Sequence, residues 1–373
     1  MKWFGRKSGR EGARPVLTSS ARGIGEWPQQ YEAQVREGYA GNPVAQRAVK
    51  IVADGVASAP LAASDPALLA LVNARSQGQE LGATVAAQLL LHGNAFVQLL
   101  GDGNGGVAEL FALRPERVQI RTDAGGWPIA YDYRVGGSVT RIAAEDASGR
   151  PQVVHLKTWH PGDDHYGLGC LGAASGAVAI HNAATRWNKA LLDNAARPSG
   201  ALVYEPGDGS ALAPAQFERL KAEMEAGFAG AANAGRPMLL EGGLRWQPLA
   251  LTPAEMDFQR AREAAARDVA LAFGVPPMLL GLPGDSTHAN YAEANVALWR
   301  LTILPLLNRI LDGLSRHLSM WWPELRLEPD LDLVPALWAD RERLWRHVGD
   351  AAFLSDDEKR VMLGWAPRVK GEA

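Results

Sequence analysis

Residues 251–318 constrain the fold more than any other part of the chain, because they write two helices around a polar loop. Thr252, Pro253 and Glu255 form a helix start: a capping hydroxyl, a proline at the first helical position and an acid in the first turn. The run after them is rich in Ala, Arg and Glu, which favour helix. Gly274 and the pair Pro276-Pro277 should stop it near Phe273. A stretch of Gly, Pro, Asp, Ser, Thr and His comes next, too polar for a core. A second helix is expected from about Tyr291. Its Leu298, Leu301, Leu304, Leu307, Leu311, Leu314 and Leu318 recur every three or four residues and make one apolar stripe. Pro305 lies inside that stripe, which predicts a kink rather than a stop.

The rest of the chain has the bulk to support such a device. Its 373 residues suffice for two or three folded units, and 47% hydrophobic with 21% charged residues is an ordinary globular composition. Cys170 is the single cysteine, so no intramolecular disulfide can form. No apolar run is long enough to span a bilayer, and the basic opening MKWFGRKSGREGARP lacks the apolar segment of a secretory signal. The 38 basic and 41 acidic residues leave a net charge of −3. Tight duplex binding through phosphates normally needs a basic surplus, so the balance argues against a DNA clamp. It is compatible with a surface that DNA slides past.

From Asn42, NPVAQRAVKIVADGVASAPL reads as a helix with Val44, Ala48, Ile51, Val52 and Val56 inward. A second helix covers about 81–90. The pattern then changes to period two: AFVQLL and AELFAL flank the turn GDGNGG, and RVQIRT, IAYDYRV and PQVVHLKTW continue as strands. The expectation is an α+β unit with one meandering sheet. The helix over 171–197 is different, because LGAASGAVAIHNAA is almost all small residues. Such a face suits close packing against copies of itself around a ring, or a tight core helix within one chain. Residues 199–250 form a compact insertion: strand ALVYE, a helix from PAQFERLK, then strands PMLLE and LRWQPL around Gly242-Gly243. Two helices with acidic starts close the chain, over about 334–348 and 355–363. Five of the twelve tryptophans, Trp299, Trp321, Trp322, Trp338 and Trp345, fall late, where such area suits a core or a subunit interface.

Gly167-Leu-Gly169-Cys-Leu-Gly172 is a formal dinucleotide fingerprint between a strand and a helix. It would make the chain a nucleotide-dependent oxidoreductase. HPGDDHY separates the strand from the first glycine, however, and Asp193 lies in the helix instead of at a strand end, so a tight approach to the helix is the better reading. His160, Asp163, Asp164 and His165 are metal-ligand types within one short loop, but no further ligand spacing supports a site and a polar turn is expected. Ser286 and His288 lie two apart in a loop with no nucleophile elbow, and no phosphate-binding loop with its lysine occurs. No catalytic, cofactor or metal residue is assigned.

The runs RPSGALVYE, GRPMLLEGGLRWQPLALTPAEMDFQ and ARDVALAFGVPPMLLGLPGDSTHANYAEANVALWRLTILPLLNRI resemble the portal proteins of tailed phages of the HK97 type. They are equally similar to the portals of phage-derived gene transfer agents. The resemblance spans roughly residues 42–367, and GVPPMLLG with its flanking helices is the most specific part. It implies a ring, usually of about twelve copies, at one capsid vertex of a virion or gene transfer agent particle. Double-stranded DNA passes through the hole without sequence preference. The parts implied are a tail (1–25), an α+β wing (26–171), a stem helix (172–198), a clip (199–250), a second stem helix (251–273), a tunnel loop (274–290), a long kinked helix (291–327) and a trimmed crown and tail (328–373). The resemblance puts Gly284, Asp285, Ser286, Thr287, His288 and Asn290 on the loop that narrows the channel, and Arg186, Lys189, Arg260, Arg262 and Arg267 on the stem. The arginines can touch phosphate or pair with Glu263 and Asp268. Implied partners are other copies of the chain, the major capsid protein, the terminase large subunit at the clip, a head-tail adaptor protein that replaces it, and no membrane.

Overall fold

Asn42 opens the first long helix, α1 (Pro43–Ala57): its Oδ1 accepts from the backbone N–H of Val44 and of Ala45, each at 3.0 Å. The structure, a computed structural model, describes residues 30–76, 78–193, 200–204, 213–228, 244–248, 258–283, 288–365 and 367–368. Ahead of α1 the chain makes a π-helical turn, Val35–Ala40. Ala45, Ala48, Val49, Val52 and Val56 of α1 are buried, with Val44 and Ile51 half-buried beside them. After β1 (Leu61–Ala63), α2 (Pro66–Val72) starts at an Asp65 cap, and α3 (Leu81–Leu91) packs against α1.

Strands β2 (Asn94–Gly101) and β3 (Val107–Leu113) form the expected hairpin. They are followed by β4 (Val118–Thr122), β5 (Pro128–Val135), β6 (Ser138–Ala143) and β7 (Val153–Lys157). One meander was the expectation; the chain instead builds two three-stranded sheets, β3-β2-β7 and β4-β5-β6, with β7 returning to pair with β2. Burial explains the return. Ala95, Val97 and Leu99 face the helical core, whereas Phe96 turns the other way onto Val118, Tyr131 and Val153. A strand covered on both faces lacks polar alternation and takes the central position. In the second sheet the buried Asp132 carboxylate accepts from Arg121 and Arg141, each at 2.7 Å, and those hydrogen bonds hold it well below the usual carboxylate range.

The long helix α4 (Cys170–Asp193) comes next, then β8 (Gly200–Tyr204), α5 (Pro214–Phe228) and β9 (Leu244–Pro248), with β8 antiparallel to β9. The expected strand over 237–241 and the Gly242-Gly243 turn lie outside the described residues. So does the expected helix start at Thr252 and Pro253, ahead of α6 (Phe258–Ala272). Helix α7 (His288–Leu298) begins three residues before the expected start.

A π-helical turn, Trp299–Ile303, joins α7 to α8 (Leu304–Leu318). Pro305 has no N–H for the carbonyl four residues back and its ring crowds that turn; widening it to π geometry relieves both. The extra residue shifts the stripe. Leu298 and Ile303 point inward, so Leu301 is 76% exposed, against the expectation that it belongs to the apolar face. The spine resumes through Leu307, Ile310, Leu311, Leu314 and Leu318, with Leu304 half-buried. At Gly313 a Cβ would strike the Leu156 side chain, so α8 lies directly on β7. Strand β10 (Leu327–Pro329) pairs with β1 and joins the chain's two halves. Helices α9 (Trp338–Asp350) and α10 (Asp356–Met362) complete the order, the latter with a Ser355/Glu358 capping box.

Candidate functional site

The small-residue helix α4 packs along α6. His181 meets Arg262 and Trp187 meets Phe258, so the two run antiparallel. Their shared face is built from Ala174, Val178 and Ala184 against Ala265, Ala266, Val269 and Ala270, all buried. Short side chains bring the axes close without interlocking them. The small face is therefore used within one chain, while Ile180 and Trp187 on α4 remain exposed.

Polar groups lock this pair to the body. The Asn42 side-chain oxygen is committed to capping α1, which orients its amide. The Asn42 Nδ2 then donates to Asn182 Oδ1 at 2.9 Å and to His181 Nδ1 at 3.2 Å. Asn182 in turn donates to the Glu37 carbonyl at 2.9 Å. With Nδ1 as acceptor, a neutral His181 carries its proton on Nε2, which faces Arg262 Nε at 3.4 Å. Arg262 Nε donates toward that nitrogen, so two donors, Asn42 Nδ2 and Arg262 Nε, face a neutral ring that has one acceptor nitrogen. Burial, and then the Arg262 charge, lower the His181 pKa.

The base of the loop after α6 is held at both ends. Gly274, at φ 65°, closes α6: its N–H bonds the Leu271 carbonyl at 3.0 Å and the Val275 N–H bonds Ala270 at 2.9 Å. Thr302 Oγ1, from the π turn, donates to the Gly274 carbonyl at 2.6 Å. Pro277–Leu280 make one 3₁₀ turn, ended by Gly281 at φ 73°. Arg267 on α6 donates to the Pro283 carbonyl. The GVPPMLLG motif is thus two successive glycine-terminated turns between two tethers.

Of the expected loop residues, Gly284, Asp285, Ser286 and Thr287 lie outside the described residues. His288 begins α7, and Asn290 is exposed in its first turn. Arg186, Lys189, Arg260, Arg262 and Arg267 all lie on exposed positions of α4 and α6. Arg186 sits 3.7 Å from Glu37, a surface pair worth about 0–1 kcal/mol. Arg267 serves the loop base. Glu263 accepts from Gln259 at 3.1 Å.

The glycine fingerprint is packing. A Cβ on Gly167 would fall on the Gly93 carbonyl, and one on Gly169 on the Leu91 carbonyl. The buried Asn94 grips Gly167 from both sides, accepting its N–H at 2.7 Å and donating to its carbonyl at 3.1 Å. The Gly167 N–H and carbonyl already have partners, so this turn does not support the dinucleotide reading. In the neighbouring loop the Asp163 carboxylate accepts from the N–H of His165 at 2.7 Å and Tyr166 at 2.9 Å, and His160 Nδ1 from Gly162 at 2.9 Å. Among the described residues no group of three or more His, Cys, Asp or Glu is placed to hold a metal ion, and no helix is long and apolar enough to cross a membrane.

Sequence reasoning missed the Asn42–His181–Asn182 lock and the Asn94 clamp. Asn42 before Pro43 is visible as a cap, and His181-Asn182 as the polar break in a small-residue helix. What joins them is a separation of 139 residues, which no local pattern encodes.

The chain is similar over nearly its whole length to proteins of one kind. It is 36% identical to an uncharacterized Rickettsia bellii protein, over 90% of this chain and 89% of that one. It matches a chain in the neck of a native gene transfer agent particle, computed with C12 symmetry, at 47% identity and TM-score 0.70, covering 96% and 97%. An HK97 family phage portal protein from Corynebacterium diphtheriae shares the fold at 19% identity and TM-score 0.56, covering 80% and 98%. The α6 helix, its loop and the α7–α8 helix with its π turn fall within residues 43–364, which match the family described as phage portal protein. The chain belongs to the phage portal protein family.

Proposed function

We propose that this chain is the portal subunit of a phage-derived particle of the gene transfer agent type: copies close head-to-tail into a ring at one capsid vertex, and DNA is packaged and ejected through the hole. The observation that carries this is the match to a chain of the C12-symmetric neck, which leaves out almost nothing of either protein. A heterologous contact that closes by rotation is the geometry such a ring needs. The role is structural and the chain supplies no catalysis.

In this reading the antiparallel pair α4 and α6 walls the channel, and the loop over 284–287, tethered through Gly274 and Pro283, narrows it. Arg186, Lys189, Arg260, Arg262 and Arg267 would offer scattered positive charge on a ring that is acidic overall. Each copy carries −3, and a net negative field keeps phosphate from adhering while DNA moves. The β8–α5–β9 insertion would meet the terminase large subunit during packaging and a head-tail adaptor protein afterwards. The body of the ring would sit against the major capsid protein.

Negative-stain imaging with mass photometry of the purified protein tests the assembly. Rings with a central hole are expected. A single species at 40.0 kDa under every assembly condition would overturn it.

A further inference from the structure

The backbone that Asn94 grips fixes the sense of every hydrogen bond in its clamp. The Gly167 N–H can only donate and the Gly167 carbonyl can only accept, so Asn94 Oδ1 faces the first at 2.7 Å and Nδ2 the second at 3.1 Å. Two histidines complete the amide. His155 Nε2 meets Oδ1 at 3.1 Å and must carry a proton, whereas His92 Nδ1 meets Nδ2 at 3.1 Å and must be bare. The two rings therefore respond differently to acid. A second proton on His155 enters at the other nitrogen, Nδ1, and leaves its bond to Asn94 intact. On His92 it enters at Nδ1 itself and sets two donors against each other.

From this we infer that His92 is a proton-operated release for the entry to α4: its protonation drives the Asn94 amide off Gly167 and frees residues 167–169 from the turn at Gly93. Turning the amide over does not relieve the conflict, because Nδ2 would then oppose the Gly167 N–H. Asn94 is fully buried, so water does not replace the lost bonds. Gly167 and Gly169 have no side chains to hold the segment; what remains is Thr158 Oγ1, donating to the Leu168 carbonyl at 2.7 Å. The groups around His92 set where it acts. Tyr31, in the turn Tyr31–Gln34, packs edge-on at 4.6 Å and is kept uncharged by burial, which pushes its pKa up. Glu32 in the same turn favours the His92 cation, but burial outweighs it and lowers the pKa from 6.5 to about 4. Arg114 and Glu116 act on Tyr31 with opposite signs. On the sheet side stand His155, kept neutral by desolvation, and Lys157, with His165 and His317 acting on His155 from the preceding loop and from α8. An open His92 takes up its proton near 6.5, so the closed clamp loses stability as pH falls below that value.

The test is hydrogen exchange on the full-length protein, read as protection factors of the 167–169 amides, beside histidine-selective NMR of the same sample. Between about pH 7 and 5 protection in wild type should fall about twentyfold, the ratio for one proton taken up with a pKa of 6.5 when open and about 4 when closed. In His92→Gln, whose amide oxygen accepts from Asn94 without titrating, the change should stay under about threefold. Protection that stays level in wild type, or that falls as steeply in the variant, would overturn the inference. Wild type also decides by itself if the variant does not fold: the His92 resonance should titrate together with the loss of protection, and a midpoint displaced from it by more than about one pH unit would overturn the inference. Either failure leaves the ring reading untouched.

Discussion

Helix α8 and the α4–α6 pair each bury a helix face, by opposite means. On α8 the buried face is made of large aliphatics, Leu307, Ile310, Leu311, Leu314 and Leu318, none more than 3% exposed. Each contributes about 1.5–3 kcal/mol through area removed from water, and interlocking shapes set the register. Between α4 and α6 the face is mostly alanine, so area contributes little and the axes lie close. Register there comes from Asn42, His181 and Asn182. The spine is vulnerable to lost volume, whereas the seam is vulnerable to added volume and to changes of charge.

The largest effect is expected at the spine. Leu314→Ala should cost about 3–4 kcal/mol, since a site enclosed by helix and sheet collapses poorly; urea unfolding that shows a cost under about 1 kcal/mol would remove the contrast. The converse change at the seam, Ala266→Leu, should cost about 1–3 kcal/mol by forcing the axes apart, and a stabilised variant would mean the seam holds spare space. Asn42→Ala should lose about 1–2 kcal/mol, because it deletes a cap and strands the partners on α4. Asn42→Asp separates the two roles: it keeps the cap and loses the donor.

The pH response distinguishes the regions further. His181 is neutral in the fold with its pKa lowered from 6.5, so the unfolded chain takes up the proton first and stability falls as pH drops below about 6.5. The buried spine has no titratable group and contributes no such slope. Half-buried His155, pushed down to about 3 by desolvation, acts in the same direction from the sheet. Thermal melts of wild type and His181→Gln between about pH 7.5 and 5 isolate the seam's share, and a loss in the variant as steep as in wild type would remove His181 from the account. The smallest effect belongs to Leu301→Ala, within about 0.5 kcal/mol. A larger cost would return Leu301 to the spine and contradict the π turn.

Much of the architecture was legible because its signals are local. Asn42-Pro43 and Ser355 with Glu358 are caps written in nearby residues, and GDGNGG marks its own hairpin. Gly274 and Gly281 terminate turns wherever the chain goes. Leu301 was misassigned for a related reason: a period of about 3.6 applied across Pro305 cannot show that one residue has been added to a turn. The strand over 153–157 read correctly as a strand, but its partner β2 did not. Pairing depends on which faces of Phe96 and Val97 need cover.

The sequence by itself determined where most of the long helices lie, that one helix is lined with small residues, and that no dense positive charge is available to grip DNA. Only the tertiary structure decided that Gly167 and Gly169 press on the turn at Gly93, that His181 reaches Asn42, and that Arg267 donates to the Pro283 carbonyl. The physical reason is range. Capping, periodicity and turn chemistry act within a few residues, while burial and hydrogen-bond completion match groups far apart in sequence, and a partner is defined only once the chain has closed around it.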